Sequence, residues 1–197
     1  MRIVKMNISL FSEEGKRKYI NEAERVAFIE ASECMPGQVM TFGLVMVYTG
    51  CRISEALNLQ VKHIDQVQKA ITFRTLKKHT DKKIYRQVPI PDELLKLLRA
   101  GHNLKDEDKF LWTNRKGSQL SRRSVTAYIV EIFKKSGIQP SANTSKALRH
   151  GFAVHALQNG IPLTQVSKWL GHSSITTTAI YTQVMGEEAR SFAQRMW

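Results

Sequence analysis

The chain has 197 residues, enough for one domain with a sizeable core or a domain plus a short arm. Lys and Arg number 30 against 17 Asp and Glu, a formal net charge of +13, which suits a polyanionic partner. The basic residues punctuate folded-looking segments instead of forming one block, so the charge points to a positive surface and argues against a disordered basic tail.

Residues 1–20 are mixed and basic and read as an arm or linker, with residues 21–197 as the folded domain. Asn21 and Glu24 form a capping-box pattern that opens a helix running to about Glu33, and Pro36-Gly37 breaks it. Val39–Tyr48 reads as a buried helix ended by Gly50, which leaves Arg52 at a turn before a short helix over Ile53–Leu59. Ala70–Leu76 and Ile84–Ile90 read as paired strands around a lysine-rich loop, Lys77–Lys83. Asp92 is expected to cap a helix carrying Leu94, Leu95, Leu97 and Leu98. Ser121–Ser136 has the clearest helical stripe, in Val125, Tyr128, Ile129, Ile132 and Phe133, and Gly137 stops it. Further helices are expected over Lys146–Gln158, Leu163–Leu170, a segment capped by Ser173 or Ser174 and carrying Tyr181, and Glu187–Met196. The fold class is therefore α+β, mainly helical with a small antiparallel sheet.

Several classes drop out. The two cysteines, Cys34 and Cys51, lack metal-ligand spacing, and the histidines show no ligand pattern with carboxylates, so no metal site is expected. No glycine-rich phosphate cradle is present, so no nucleotide or other cofactor is expected. No long apolar core follows Arg2 and Lys5, and the longest apolar run, Phe42–Tyr48, is too short to cross a bilayer. A reducing, cytoplasmic setting with no membrane partner is the default.

Three short motifs carry the chemistry. They are Thr49-Gly50-Cys51-Arg52-Ile53-Ser54-Glu55-Ala56-Leu57, Leu148-Arg149-His150, and Leu170-Gly171-His172 with Tyr181 nine residues on. Their order and spacing resemble the tyrosine recombinase (phage integrase) family, over about residues 20–197. The resemblance implies a tyrosine-recombinase catalytic domain that cuts and rejoins double-stranded DNA through a 3′-phosphotyrosyl bond. Tyr181 then matches the nucleophile, Arg52 and Arg149 the clamp on the phosphate, and His172 a donor to it. Arginine suits the clamp because its fork donates two parallel hydrogen bonds and stays charged. Glu55 matches an acidic position that supports its neighbours. Lys146 stands where the family usually has histidine, keeping a donor but losing an imidazole. His150 is expected to be structural.

The family also carries a loop lysine that protonates the departing 5′ oxygen. Lys77 and Lys78 are adjacent candidates, and alignment of residues 71–76 with the usual strand favours Lys77. Lys78, Lys82, Lys83, Arg122 and Arg123 are expected to meet the DNA backbone, a common task for loop and surface cations. The resemblance further implies self-association on DNA as a dimer or tetramer, with the C-terminal helix bridging protomers or docking on its own domain. Arg52 comes too early for the family's N-terminal core-binding domain, so either a catalytic fragment or a minimal recombinase is expected. The alternatives are a non-catalytic DNA-binding module of the same fold and a type IB topoisomerase.

Overall fold

The computed structural model describes residues 10–75, 84–138 and 144–184. Residues 1–9, the lysine-rich loop with Leu76, and the helix expected over 187–196 lie outside them. The architecture is α+β: helices α1 (Glu22–Glu33), α2 (Gly37–Thr49) and α3 (Ile53–Leu57) precede strands β1 (Ile64–Asp65), β2 (Ala70–Thr75) and β3 (Ile84–Pro89). Helices α4 (Asp92–Gly101), α5 (Arg122–Lys135), α6 (Thr144–Gln158), α7 (Leu163–Leu170) and α8 (Thr176–Ala179) follow. A 3-10 turn over Ile180–Val184 comes next.

Local chemistry sets most boundaries. The Asn21 side chain accepts from the Glu24 N–H at 2.9 Å, and the Glu24 carboxylate accepts from the Asn21 N–H at 2.8 Å, so both orphan donors are satisfied at the start of α1. Ser121 caps α5 through the Ser124 N–H at 3.1 Å, and Val125, Ile129, Ile132 and Phe133 bury the expected stripe. Helix α2 is apolar nearly all round, with Phe42, Leu44, Val45, Met46 and Val47 buried, and it packs against α1, α4, α5 and α6. A helix without a polar face must sit inside. Helix α6 is the second central element and buries Ala147, Leu148, Ala153 and Val154. Residues 10–20 lie on this core: Leu10 and Ile20 are buried, and the Ile20 N–H reaches the Ala147 carbonyl at 3.4 Å.

The sheet is antiparallel in the order β1-β2-β3. In the β2–β3 register Ile71 faces Val88 and Phe73 faces Arg86. Because side chains alternate along a strand, Arg86 shares the core-facing row of β3 with Val88.

Four expectations need correction, and one short strand was not foreseen. Asp92 does not cap α4: Pro91 holds the cap position, while the Asp92 carboxylate is engaged by the Lys69 ammonium at 2.8 Å. The third helix stops at Leu57, because the Leu59 carbonyl is taken by the Leu111 N–H at 3.0 Å and Gln60 bridges to Phe110. Strand β1, two residues long, follows a 3-10 turn over Val61–His63 and is too short to carry a periodic signal. Tyr181 lies in the 3-10 turn, not in a regular helix: α8 has four residues, three of them β-branched threonines that crowd a helix. Neither Ser173 nor Ser174 caps α8: Ile175 holds the cap position without a side-chain bond, and the hydroxyl of Ser174, one residue earlier, accepts from the Thr176 N–H at 3.3 Å.

Candidate active site

Two helix ends and one buried arginine build the site. Helix α2 ends in an αL cap: Gly50 has φ +58° and its N–H bonds the Met46 carbonyl at 3.1 Å. Helix α7 ends in a Schellman motif: Gly171 has φ +67°, its N–H reaches the Lys168 carbonyl at 3.0 Å, and the His172 N–H reaches the Ser167 carbonyl at 3.1 Å. Each cap throws the next residues off its helix axis, Arg52 in one case and His172 in the other. Arg149, on the buried face of α6, ties the two ends together. Its Nη1 donates to the Gly50 carbonyl at 2.8 Å and its Nη2 to the Leu170 carbonyl at 2.7 Å. Two of its five N–H donors are described in these bonds, so the fork retains capacity for an anion.

Arg52 opens α3 and leans on Glu55. The Glu55 carboxylate accepts from the Arg52 N–H at 2.8 Å and from its Nη1 at 3.0 Å. The Glu55 side chain has no exposed area, whereas that of Arg52 is 43% exposed, so the pair presents the guanidinium outward.

A third cation completes this network. Arg86, whose side chain is 7% exposed, donates from Nη2 to Glu55 at 2.6 Å and from Nη1 at 3.1 Å. Its Nε donates to the Trp169 carbonyl at 2.6 Å, and its guanidinium lies 5.1 Å from the centroid of the Phe73 ring. A side chain at Gly171 would meet it, since a Cβ there falls 3.0 Å from the Arg86 Cδ. Burial works against charge on Glu55, but the hydrogen bonds and charge of Arg86, then of Arg52, hold its carboxyl below the ordinary value.

Tyr181 is 1% exposed, and its hydroxyl is 2.9 Å from His150 Nδ1. Burial pushes the phenol up to about 12, against the pull of the Arg149 and Arg52 charges. His150 is pressed down to about 4 by burial and by the charges of Arg149, Lys146 and Lys18, so it is neutral at ordinary pH. A neutral imidazole beside a phenol is within reach of its proton. His172 is also neutral, pressed to about 3 by burial and then by Arg149, Arg52, His150 and Arg86. Its Nδ1 lies 2.7 Å from the buried Thr178 hydroxyl. Burial and the Arg52 charge bring Arg149 itself down to about 10, which leaves it a cation at neutral pH.

Arg52, Glu55, Arg149, His172 and Tyr181 therefore meet in one place, joined through Arg149 and Glu55. Lys146 is exposed on α6, one turn before Arg149. Arg122 and Arg123 are exposed in the first turn of α5, which packs on α3. Lys77, Lys78, Lys82 and Lys83 lie outside the described residues; β2 and β3 hold the ends of their loop at Thr75 and Ile84. Sequence reasoning missed Arg86, Thr178 and the His150 contact with Tyr181. Only Arg86 left a signal, a charge at an inward position of a strand pattern. Among the described residues, no three His, Cys, Asp or Glu side chains gather as a metal-binding group, and no helix is long and apolar enough to cross a membrane.

Residues 18–188 match the phage integrase family. The chain belongs to this family. Tyrosine recombinase XerA of Pyrococcus furiosus is 33% identical over 156 residues, which are 77% of this chain and 52% of XerA. The crystal structure of a XerA recombinase superposes with a TM-score of 0.74 at 27% identity, covering 92% of this chain and 65% of that one. The XerH site-specific recombinase, in a pre-cleavage complex bound to difH substrate, superposes with a TM-score of 0.70 at 28% identity, covering 93% of this chain and 55% of XerH. The chain thus spans about half the length of the curated relatives it matches.

Proposed function

We propose that residues 21–197 are the catalytic domain of a site-specific DNA recombinase that works through a 3′-phosphotyrosyl intermediate. The observation that carries this reading is the buried Tyr181 hydroxyl in the field of Arg149 and Arg52, with His172 alongside, in a chain of this family. Tyr181 Oη attacks the scissile phosphorus, the bond to the 5′ oxygen breaks, and that oxygen takes a proton, from Lys77 or its neighbour Lys78. Attack by a 5′-hydroxyl on the phosphotyrosine reverses the step and rejoins a strand. The ester bond energy is kept, so no nucleotide cofactor is required.

Arg52 and Arg149 bind the non-bridging oxygens, Lys146 and His172 add donors, and Glu55 orients Arg52. The outward Arg52 fork and the caged Arg149 fit a preorganised clamp, which needs little reorganisation as charge develops. The phenol is held protonated before DNA arrives, so its proton must leave as attack proceeds; phosphate-bound arginines and His150 favour that. Lys78, Lys82, Lys83, Arg122 and Arg123 contact the duplex backbone. The two arginines on the first turn of α5 support this, because cations there oppose the helix dipole and an adjacent phosphate would offset it. Exchange of strands between two duplexes requires several active sites, hence self-association on DNA.

The test is a nicked suicide DNA carrying candidate sites, which traps the covalent adduct. The parent chain is expected to form the adduct, and Tyr181→Phe to bind DNA equally but form none. Adduct of normal yield from Tyr181→Phe would sink the assignment. Recombinant products separate a recombinase from an enzyme that only relaxes DNA.

A further inference from the structure

Thr178 sits in α8, three residues before Tyr181, and is completely buried. Its N–H is satisfied by the Ile175 carbonyl at 2.8 Å. Its hydroxyl faces a histidine ring nitrogen, as that of Thr41 does toward His102 Nε2 at 2.9 Å, whereas several other helical hydroxyls bond their own backbone. Ser32, Thr49 and Thr182 each donate back to a carbonyl of their own helix or turn, at 2.7, 2.6 and 2.6 Å. The one partner described for the Thr178 hydroxyl is His172 Nδ1, at 2.7 Å.

A hydroxyl has one proton to place, and a buried donor left without an acceptor is unfavourable. If His172 carried its proton on Nδ1, that N–H would point at the threonine oxygen, and the hydroxyl proton would need another acceptor. Donation by the hydroxyl satisfies both atoms at once. The imidazole proton then resides on Nε2. Because burial and the charges of Arg149 and Arg52 keep the ring neutral, its capacity to donate depends on the tautomer and not on a positive charge.

We infer that Thr178 is a positioning residue: its hydroxyl donates to His172 Nδ1, fixes the Nε2–H tautomer and ring orientation, and aims a neutral N–H donor at the scissile phosphate. The tautomer stands on the structure alone, whereas the phosphate rests on the proposed function. The same hydroxyl joins the segment of the nucleophile to the donor loop, so the two are set together.

The experiment uses the whole chain with nitrogen-15 labelled histidine, and assigns the His172 ring by its loss in His172→Gln. The parent is expected to show an unprotonated, hydrogen-bonded Nδ1 and a protonated Nε2 at neutral pH. In Thr178→Val the Nδ1 signal should move to that of a free acceptor. Adduct formation on the nicked suicide DNA should slow by about 10- to 100-fold, by analogy with the loss of the partner that orients a metal-bound histidine. DNA affinity should stay unchanged, and Thr178→Ser should restore both signals and rate. A protonated Nδ1 in the parent overturns the inference, and needs no variant to fold. Parental cleavage rate in folded Thr178→Val overturns it too. Absence of any adduct from the parent removes the proposed function and the phosphate role, while the tautomer measurement is unaffected.

Discussion

Replacing Arg86 with methionine removes a charge and keeps most of an unbranched stem. In the parent, a carboxylate with no exposed area is bonded by an arginine only 7% exposed, at 2.6 and 3.1 Å. After the change Glu55 keeps, among the described residues, the Arg52 N–H and Nη1 as its partners. Leaving a buried charge without its partner costs about 3–5 kcal/mol. The orphaned Trp169 carbonyl adds to that, and the retained Arg52 bonds subtract, so the expected loss stays about 3–5 kcal/mol. That is a large share of the roughly 5–15 kcal/mol that holds a domain folded. Urea unfolding at neutral pH reads it directly.

The pH dependence gives an independent check. In the parent the Glu55 pKa is held below 4.5, so its contribution is present above 4.5 and is lost as pH falls through the folded value. Without Arg86, burial dominates and the folded-state pKa rises above 4.5. The folded variant then takes up a proton that the unfolded chain has released. The gap between parent and variant should therefore narrow as pH falls from 7 toward 4.5. Glu55→Gln added to Arg86→Met should recover part of the loss, since no charge is then stranded. A loss under about 1 kcal/mol at pH 7, or a gap that does not change with pH, would refute the reasoning, because an ordinary surface pair is worth that little.

Arg149→Lys should slow adduct formation by about 100- to 1000-fold, the usual effect of losing one preorganised donor. The same change should lower the thermal midpoint, because a lysine cannot bond the Gly50 and Leu170 carbonyls together; cleavage at parental rate would put the clamp elsewhere. Lys77→Ala should regain most of its cleavage on a 5′-bridging phosphorothiolate substrate, whose leaving group needs no proton. Rescue of Lys78→Ala instead would move the role by one residue.

The element boundaries that sequence alone determined are those held by local bonds. Asn21 with Glu24, Ser121, Gly50 and Gly171 act within a few residues of themselves, so their caps and turns are readable from spacing. The motifs around Arg52, Arg149, His172 and Tyr181 were legible in another way, by the resemblance of their order and spacing to the family; local chemistry alone gives none of these residues a role. Glu55 was legible only through that resemblance, as a support for its neighbours; that Arg52 is one of them comes from the structure. Tertiary structure alone decided that Arg86 reaches Glu55 across 31 residues and that Arg149 reaches Gly50 across 99. It also decided that Tyr181 is buried on His150 and that Thr178 turns to His172 instead of to its own helix. Such bonds join atoms from separate elements, and their geometry depends on how α3, β3, α6 and α8 pack. Periodicity and capping report what a residue does to its own segment. They carry no information about which distant carbonyl or carboxylate a buried donor will meet.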